Sequence, residues 1–121
     1  MDVAHNGVMD TIHVTQRIDR PADTVYEYTR HREHLEAWAV GVSDDMHIEM
    51  APENTFGVLD HWVTLDGTTF YNAMRVIPLD DSSCEVVFTL RPFPGVDEAA
   101  YEKDHATITH DLATLKDLLE K

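Results

Sequence analysis

With 121 residues, 43% of them hydrophobic and 26% charged, the chain has the size and composition of one globular domain, able to bury roughly two-thirds of its unfolded surface. Nine Lys and Arg against 23 Asp and Glu give a net charge of −14, a field that repels phosphate backbones and anionic membrane surfaces, so no nucleic-acid and no membrane partner is expected. The single Cys84 closes no intrachain disulfide, "MDVAHNGVMD" lacks the pattern of a secretory signal, and no segment approaches the ~20 apolar residues of a membrane span; a soluble cytoplasmic protein is expected.

Residues 1–10 mix small, polar and apolar types without period and read as a loose, flexible tail, with a single domain over 11–121. In "TIHVTQRID", Ile12, Val14, Gln16 and Ile18 alternate with polar neighbours, as in a half-buried strand. The period then changes. Pro21 suits a first helical turn, where its missing N–H has no partner, and the apolar positions from Val25 to Trp38, broken around residues 30–32, predict two short helices.

Four strand-like runs follow. "VSDDMHIEM" places Val42, Asp44, Met46, Ile48 and Met50 on one face, and "APEN" is turn chemistry. "GVLDHWVTL" offers Leu59, His61, Val63 and Leu65 on one face against Val58, Asp60, Trp62 and Thr64 on the other, and by itself does not say which is inward. Asp66 and Gly67 predict a two-residue hairpin, because a type I′ turn needs positive φ. With Leu65 opposite Thr68, Val63 meets Phe70, His61 meets Asn72 and Leu59 meets Met74, which makes that face the inner one. "DDSS" makes the next turn, and matching Met74 and Val76 to the face of Cys84, Val86, Phe88 and Leu90 requires an odd-length loop. After "PFPG", Asp97 can cap a helix on which Tyr101, His105, Ile108, Leu112, Leu115 and Leu119 recur in steps of three and four.

One strand, two short helices, an antiparallel meander and a long amphipathic helix is a specific order. Through "IHVTQRIDRPADTVYEYTRHREHLEAW", "MRVIPLDDSSCEVVFTL" and the C-terminal helix, the chain resembles the START-like helix-grip superfamily (SRPBCC), which includes the polyketide cyclase/dehydrase and birch-pollen-allergen groups. The resemblance implies an α+β fold in which a curved antiparallel sheet grips the terminal helix around an apolar cavity. Four strands after the short helices, rather than six, imply a smaller cavity that side chains could fill. The periodicity agrees, since a one-faced sheet and a one-striped helix bury their apolar sides only against each other.

Candidate functional residues are the polar groups that interrupt inward apolar series. His61 and Asn72 pair across the hairpin, and a turn centred near residues 52–54 would bring Asp44 diagonal to His61. Burial lowers a histidine pKa and a carboxylate raises it, so His61 is the candidate general acid or base. The simpler reading, satisfied polar groups at the rim of a shallow cavity, takes precedence. Opposite inward assignment would present Asp60 and Trp62 instead. Met74, Phe88 and Ile108 would supply apolar lining, with Tyr101 and His105 offering polar tips from the helix. Glu102 with His105 is a single E-x-x-H, short of the two such pairs a di-iron bundle needs, and His31 and His34 in "HREHLEAW" read as a solvated turn rather than half of a metal site. No metal and no cofactor is implied.

Three functions are therefore set against each other. The leading one is a small-molecule binding protein for a lipid-like, aromatic or polyketide-like ligand, with a homodimer compatible with the pattern. The others are a cyclase- or dehydratase-type enzyme using His61, and a ligand-free scaffold that docks a partner.

Overall fold

The computed structural model describes residues 9–121. Most of the stretch expected to be a loose tail therefore lies outside the described residues; Met9 packs against the core and the carbonyl of Asp10 accepts the Tyr101 hydroxyl at 2.7 Å. The order of elements is β1 (Ile12–Ile18), α1 (Ala22–Thr29), a 3-10 turn (Arg32–Ala37), β2 (His47–Met50), β3 (His61–Leu65), β4 (Thr68–Asp80), β5 (Ser83–Leu90) and α2 (Glu98–Leu119). The strands form an antiparallel sheet in the order β1-β5-β4-β3-β2, and α2 crosses its concave face, packing mainly on β1 and also on β5. This is the α+β helix-grip arrangement, with two short helices after the first strand. Among the described residues no helix is long and apolar enough to cross a membrane.

Local chemistry explains each boundary. Pro21 is the N-cap of α1, and its carbonyl accepts from Thr24 N and Val25 N. Asp97 caps α2, its side chain accepting from Ala100 N at 2.8 Å. Asp66 and Gly67 have φ of 52° and 78°, the type I′ pair, and set Leu65 against Thr68, Val63 against Phe70 and His61 against Asn72. Leu59 N continues that register by donating to Met74 O.

The β4–β5 connection solves its parity in another way. Met74 pairs with Phe88, Val76 with Val86 and Pro78 with Cys84, after which the register shifts and Asp80 pairs with Ser83. A two-residue turn plus the extra residue Leu79 supplies the odd count expected of the loop. Pro78 is tolerated because β3 has ended by this point, so β4 has a partner on one side only.

The expected strand over residues 42–50 shortens to His47–Met50. Ser43, Asp44 and Asp45 form a turn instead, with Met46 N donating to Ser43 O at 3.1 Å; short polar side chains favour turns over ladders. Residues 51–60 then form a long connection organised by Asn54, whose Oδ1 accepts from Phe56 N and Val58 N while its Nδ2 donates to Pro52 O and Val58 O.

Within this connection Gly57 is irreplaceable on geometry. Its φ is 73°, and a Cβ there would stand 2.3 Å from Val76 O, the carbonyl of a strand in register. Gly57→Ala is expected to cost more than the roughly 1–2 kcal/mol of the positive φ alone, because the Val76 carbonyl must also give way. Urea unfolding checks this as a lowered midpoint at unchanged slope.

The core lies between sheet and helices. Ile18, Val25, Leu59, Val86, Leu112 and Leu115 are almost wholly buried, surrounded by Val14, Met74, Val76 and Phe88. On α2 the buried stripe runs through Tyr101, Ile108, Leu112 and Leu115, as the steps of three and four require.

Candidate functional site

Because α2 packs mainly on the β1 side, the concave face of β2, β3 and the first half of β4 is left for other cover, which the 3-10 turn and the segment after it provide. Between them lies a cavity of about 550 Å3. Its apolar wall comes from the sheet through Ile48, Met50, Val63, Phe70, Met74 and Phe88, and from the opposite side through Leu35, Trp38, Val42, Met46, Ile108 and Leu112. Phe70 and Phe93 stack with ring centroids 5.7 Å apart at one side of it, and Phe93 is partly exposed to solvent.

His61 and Asn72 sit together in this wall. Asn72 Nδ2 lies 3.4 Å from His61 Nε2, and His61 Nδ1 lies 3.0 Å from the carbonyl of Leu59. A carbonyl only accepts, so Nδ1 carries the proton and Nε2 is the acceptor. Burial pushes the imidazole pKa below its ordinary 6.5, outweighing the Leu59 carbonyl and the nearby Asp60 charge, which act the other way. His61 is therefore neutral at pH 7.

Of the residues singled out from sequence, His61, Asn72, Met74, Phe88 and Ile108 share the cavity wall. Three do not. Asp44 is exposed in the Ser43–Met46 turn; β2 pairs with β3 as Met50 with His61 and Ile48 with Val63, so the longer connection carries position 44 towards the hairpin end, away from His61. The Asp44, His61, Asn72 cluster is thus corrected to a His61–Asn72 pair. Tyr101 is in the core, its hydroxyl donating to the carbonyls of Asp10 and Leu90 at 2.7 and 2.9 Å. His105 is half-buried on α2 but does not line the cavity.

The structure also places groups in the wall that the sequence did not point to. Asp104, Thr107 and Asp111 follow one another down α2 on the cavity side, with Asp66, Thr68 and Arg91 nearer solvent. Asp111 is 3% exposed and its Oδ1 accepts from Val40 N at 3.1 Å. Thr29 Oγ1 and Trp38 Nε1, in residues 2% and 6% exposed, have no hydrogen-bond partner. A buried polar atom left so costs roughly 1–3 kcal/mol. The signal was present for the carboxylates: positions 104, 108, 111 and 115 keep the same three-and-four spacing as the apolar stripe.

His31 and His34 are taken up by the protein. His31 Nε2 and Nδ1 lie 2.9 and 3.1 Å from the carboxylates of Glu27 and Glu33, while His34 bonds Tyr28 O and stacks on the Tyr28 ring at 4.1 Å. Among the described residues no group of three or more His, Cys, Asp or Glu is placed to hold a metal ion.

On the outer face, Asp60 is 4% exposed although its neighbours in sequence alternate with the core. Its Oδ1 accepts from Met74 N and Arg75 Nε, at 2.9 and 3.0 Å, and its Oδ2 from the second Arg75 nitrogen and the Tyr71 hydroxyl. This carboxylate belongs to the scaffold: it points away from the cavity and bolts the start of β3 to β4.

No protein-family model and no curated protein sequence matches the chain. Solved structures do. A Bacillus thuringiensis protein superposes with a TM-score of 0.71 at 11% identity, covering 93% of this chain and 100% of its own. A START superfamily protein from Mycobacterium smegmatis gives 0.60 at 12% identity over 91% and 97% of the two chains. The Zhui aromatase/cyclase from Streptomyces sp. R1128 gives 0.50 at 15% identity over 92% and 93%. At identities this low the superpositions show a shared fold and nothing finer, and the fold is like that of the START superfamily and aromatase/cyclase structures.

Proposed function

We propose that this protein binds a hydrophobic small molecule, lipid-like, aromatic or polyketide-like, between the concave sheet, the 3-10 turn with the segment after it, and α2. The observation that carries the reading is the cavity itself: about 550 Å3 of space, within the range of small-molecule sites, walled by apolar side chains with few polar groups converging on it. Burying about 300 Å2 of ligand contributes roughly 7 kcal/mol, from which association subtracts at least ~4. Apolar contact alone leaves binding weak, so selectivity falls to the polar groups, His61 and Asn72 foremost. The START superfamily and aromatase/cyclase neighbours support a ligand-binding or cyclase-like use of the fold.

Native mass spectrometry of gently purified protein tests this, with an adduct of small-molecule mass expected. A chain that carries nothing, and whose melting temperature no apolar compound raises, would overturn the proposal.

A second reading, catalysis, draws on one specific feature: the neutral imidazole of His61, oriented through Nδ1 and basic at Nε2, has the form of a general base. Its folded-state pKa is depressed, so the basic form persists above 6.5 and is lost as pH falls through the lower, folded value. Under either reading His61→Leu is expected to weaken binding or turnover about tenfold or more. The acid-side decline of the wild type should vanish in that variant, and an unchanged pH profile would remove His61 from the site.

A further inference from the structure

The charge of the cavity wall narrows the ligand class, on the premise that the cavity is the binding site. Three carboxylates, Asp66, Asp104 and Asp111, stand in it against one guanidinium, Arg91, which is already donating to Tyr71 O at 3.2 Å. His61 adds no charge at pH 7, being held neutral by burial. The polar side of the wall is therefore negative where α2 faces the aromatic and aliphatic side. That this is a ligand site rests on grounds apart from charge: the cavity of about 550 Å3 and its largely apolar wall.

We infer that the cavity selects a hydrophobic molecule bearing a protonated amine, and discriminates against carboxylate-bearing ligands such as fatty acids. A carboxylate entering would meet Asp104 and Asp111 in a medium less polar than water, where like charges repel more strongly. An ammonium group would relieve the same repulsion. Asp104 shows the sense of this: burial raises its pKa, outweighing the neighbouring Lys103, which acts the other way. A cation beside it would stabilise the ionised form. The faces of the Phe70 and Phe88 rings in the wall are also compatible with a cation.

The test is calorimetric titration of the full chain with three probes of one shape: naphthylmethylamine, naphthylmethanol and naphthoate. The amine is expected to bind about tenfold or more tighter than naphthoate, with the alcohol between them. In Asp104→Asn/Asp111→Asn the amine and naphthoate should converge to within about twofold while the alcohol is unchanged; Asp104→Asn alone, at a half-buried position, carries the comparison if the double variant does not fold. Naphthoate binding as tightly as the amine would overturn the inference while leaving the cavity reading standing. A gap that survives both substitutions and collapses with added salt would assign the discrimination to the net charge of −14 and overturn it equally. If naphthylmethanol and the amine both fail to bind, the cavity reading and this inference fall together.

Discussion

Asp60→Ala is expected to lower the free energy of unfolding by about 3 kcal/mol, the lower end of what breaking a buried charge pair costs. The carboxylate is 4% exposed and accepts from Met74 N, both arms of Arg75 and the Tyr71 hydroxyl. Its removal leaves the Met74 amide buried without an acceptor. The Arg75 side chain, 49% exposed, regains water, which keeps the loss from being larger. Acid titration gives a second readout. Burial by itself would raise the Asp60 pKa, yet the bonds from Arg75, Tyr71 and Met74 N outweigh it and hold the group below 3.8. A depressed folded-state pKa means that this stabilisation is full above 3.8 and is lost as pH falls through the lower, folded value. Arg75→Met takes away two of the donors and should move acid unfolding to higher pH. Superimposable acid profiles of the two proteins would contradict the assignment.

Ile108→Trp is expected to weaken binding of any cavity ligand about a hundredfold while leaving the melting temperature within a few degrees of the wild type. Ile108 reaches the cavity from α2, half-buried, so the larger indole has space to enter and occupies what a ligand would occupy. The ligand-free scaffold reading predicts the reverse. In a solidly packed interior the added volume would force neighbours off their rotamers and cost about 1–3 kcal/mol. Calorimetry and thermal unfolding on the same sample separate the two.

How much of this was legible in the sequence depended on how local the determinant is. Asp66 and Gly67 set the β3–β4 register by themselves, because two consecutive positive φ values admit little else, and with the register came the His61–Asn72 pair. The Asp44 position failed because it rested on a loop whose length only tertiary contacts decide: Asn54 holds a ten-residue connection over residues 51–60 by four hydrogen bonds, where a shorter turn was expected. Periodicity places Tyr101 in the buried stripe, where it lies, but says nothing about where a hydroxyl finds its acceptors. Carboxylates ordinarily take the solvent side of a helix, yet the spacing of Asp104 and Asp111 with Ile108 places them inward, and a cavity is what makes that tolerable. In the strand alternation Asp60 is the mirror choice to His61. Both are interior groups, served by opposite faces of the sheet.

The bulge at Leu79 and the proline before it have a consequence for behaviour at high concentration. Beyond Val76 the margin of β4 turns to solvent with Ile77 and Leu79 each nearly half exposed, at 45% and 48%. Such a greasy, unpaired border invites a second molecule to add a strand and so begin aggregation. Pro78 offers no amide hydrogen there, and the extra residue throws the following carbonyls out of phase. The same irregularity that reconciles the two strands internally thus keeps neighbouring molecules from zipping together.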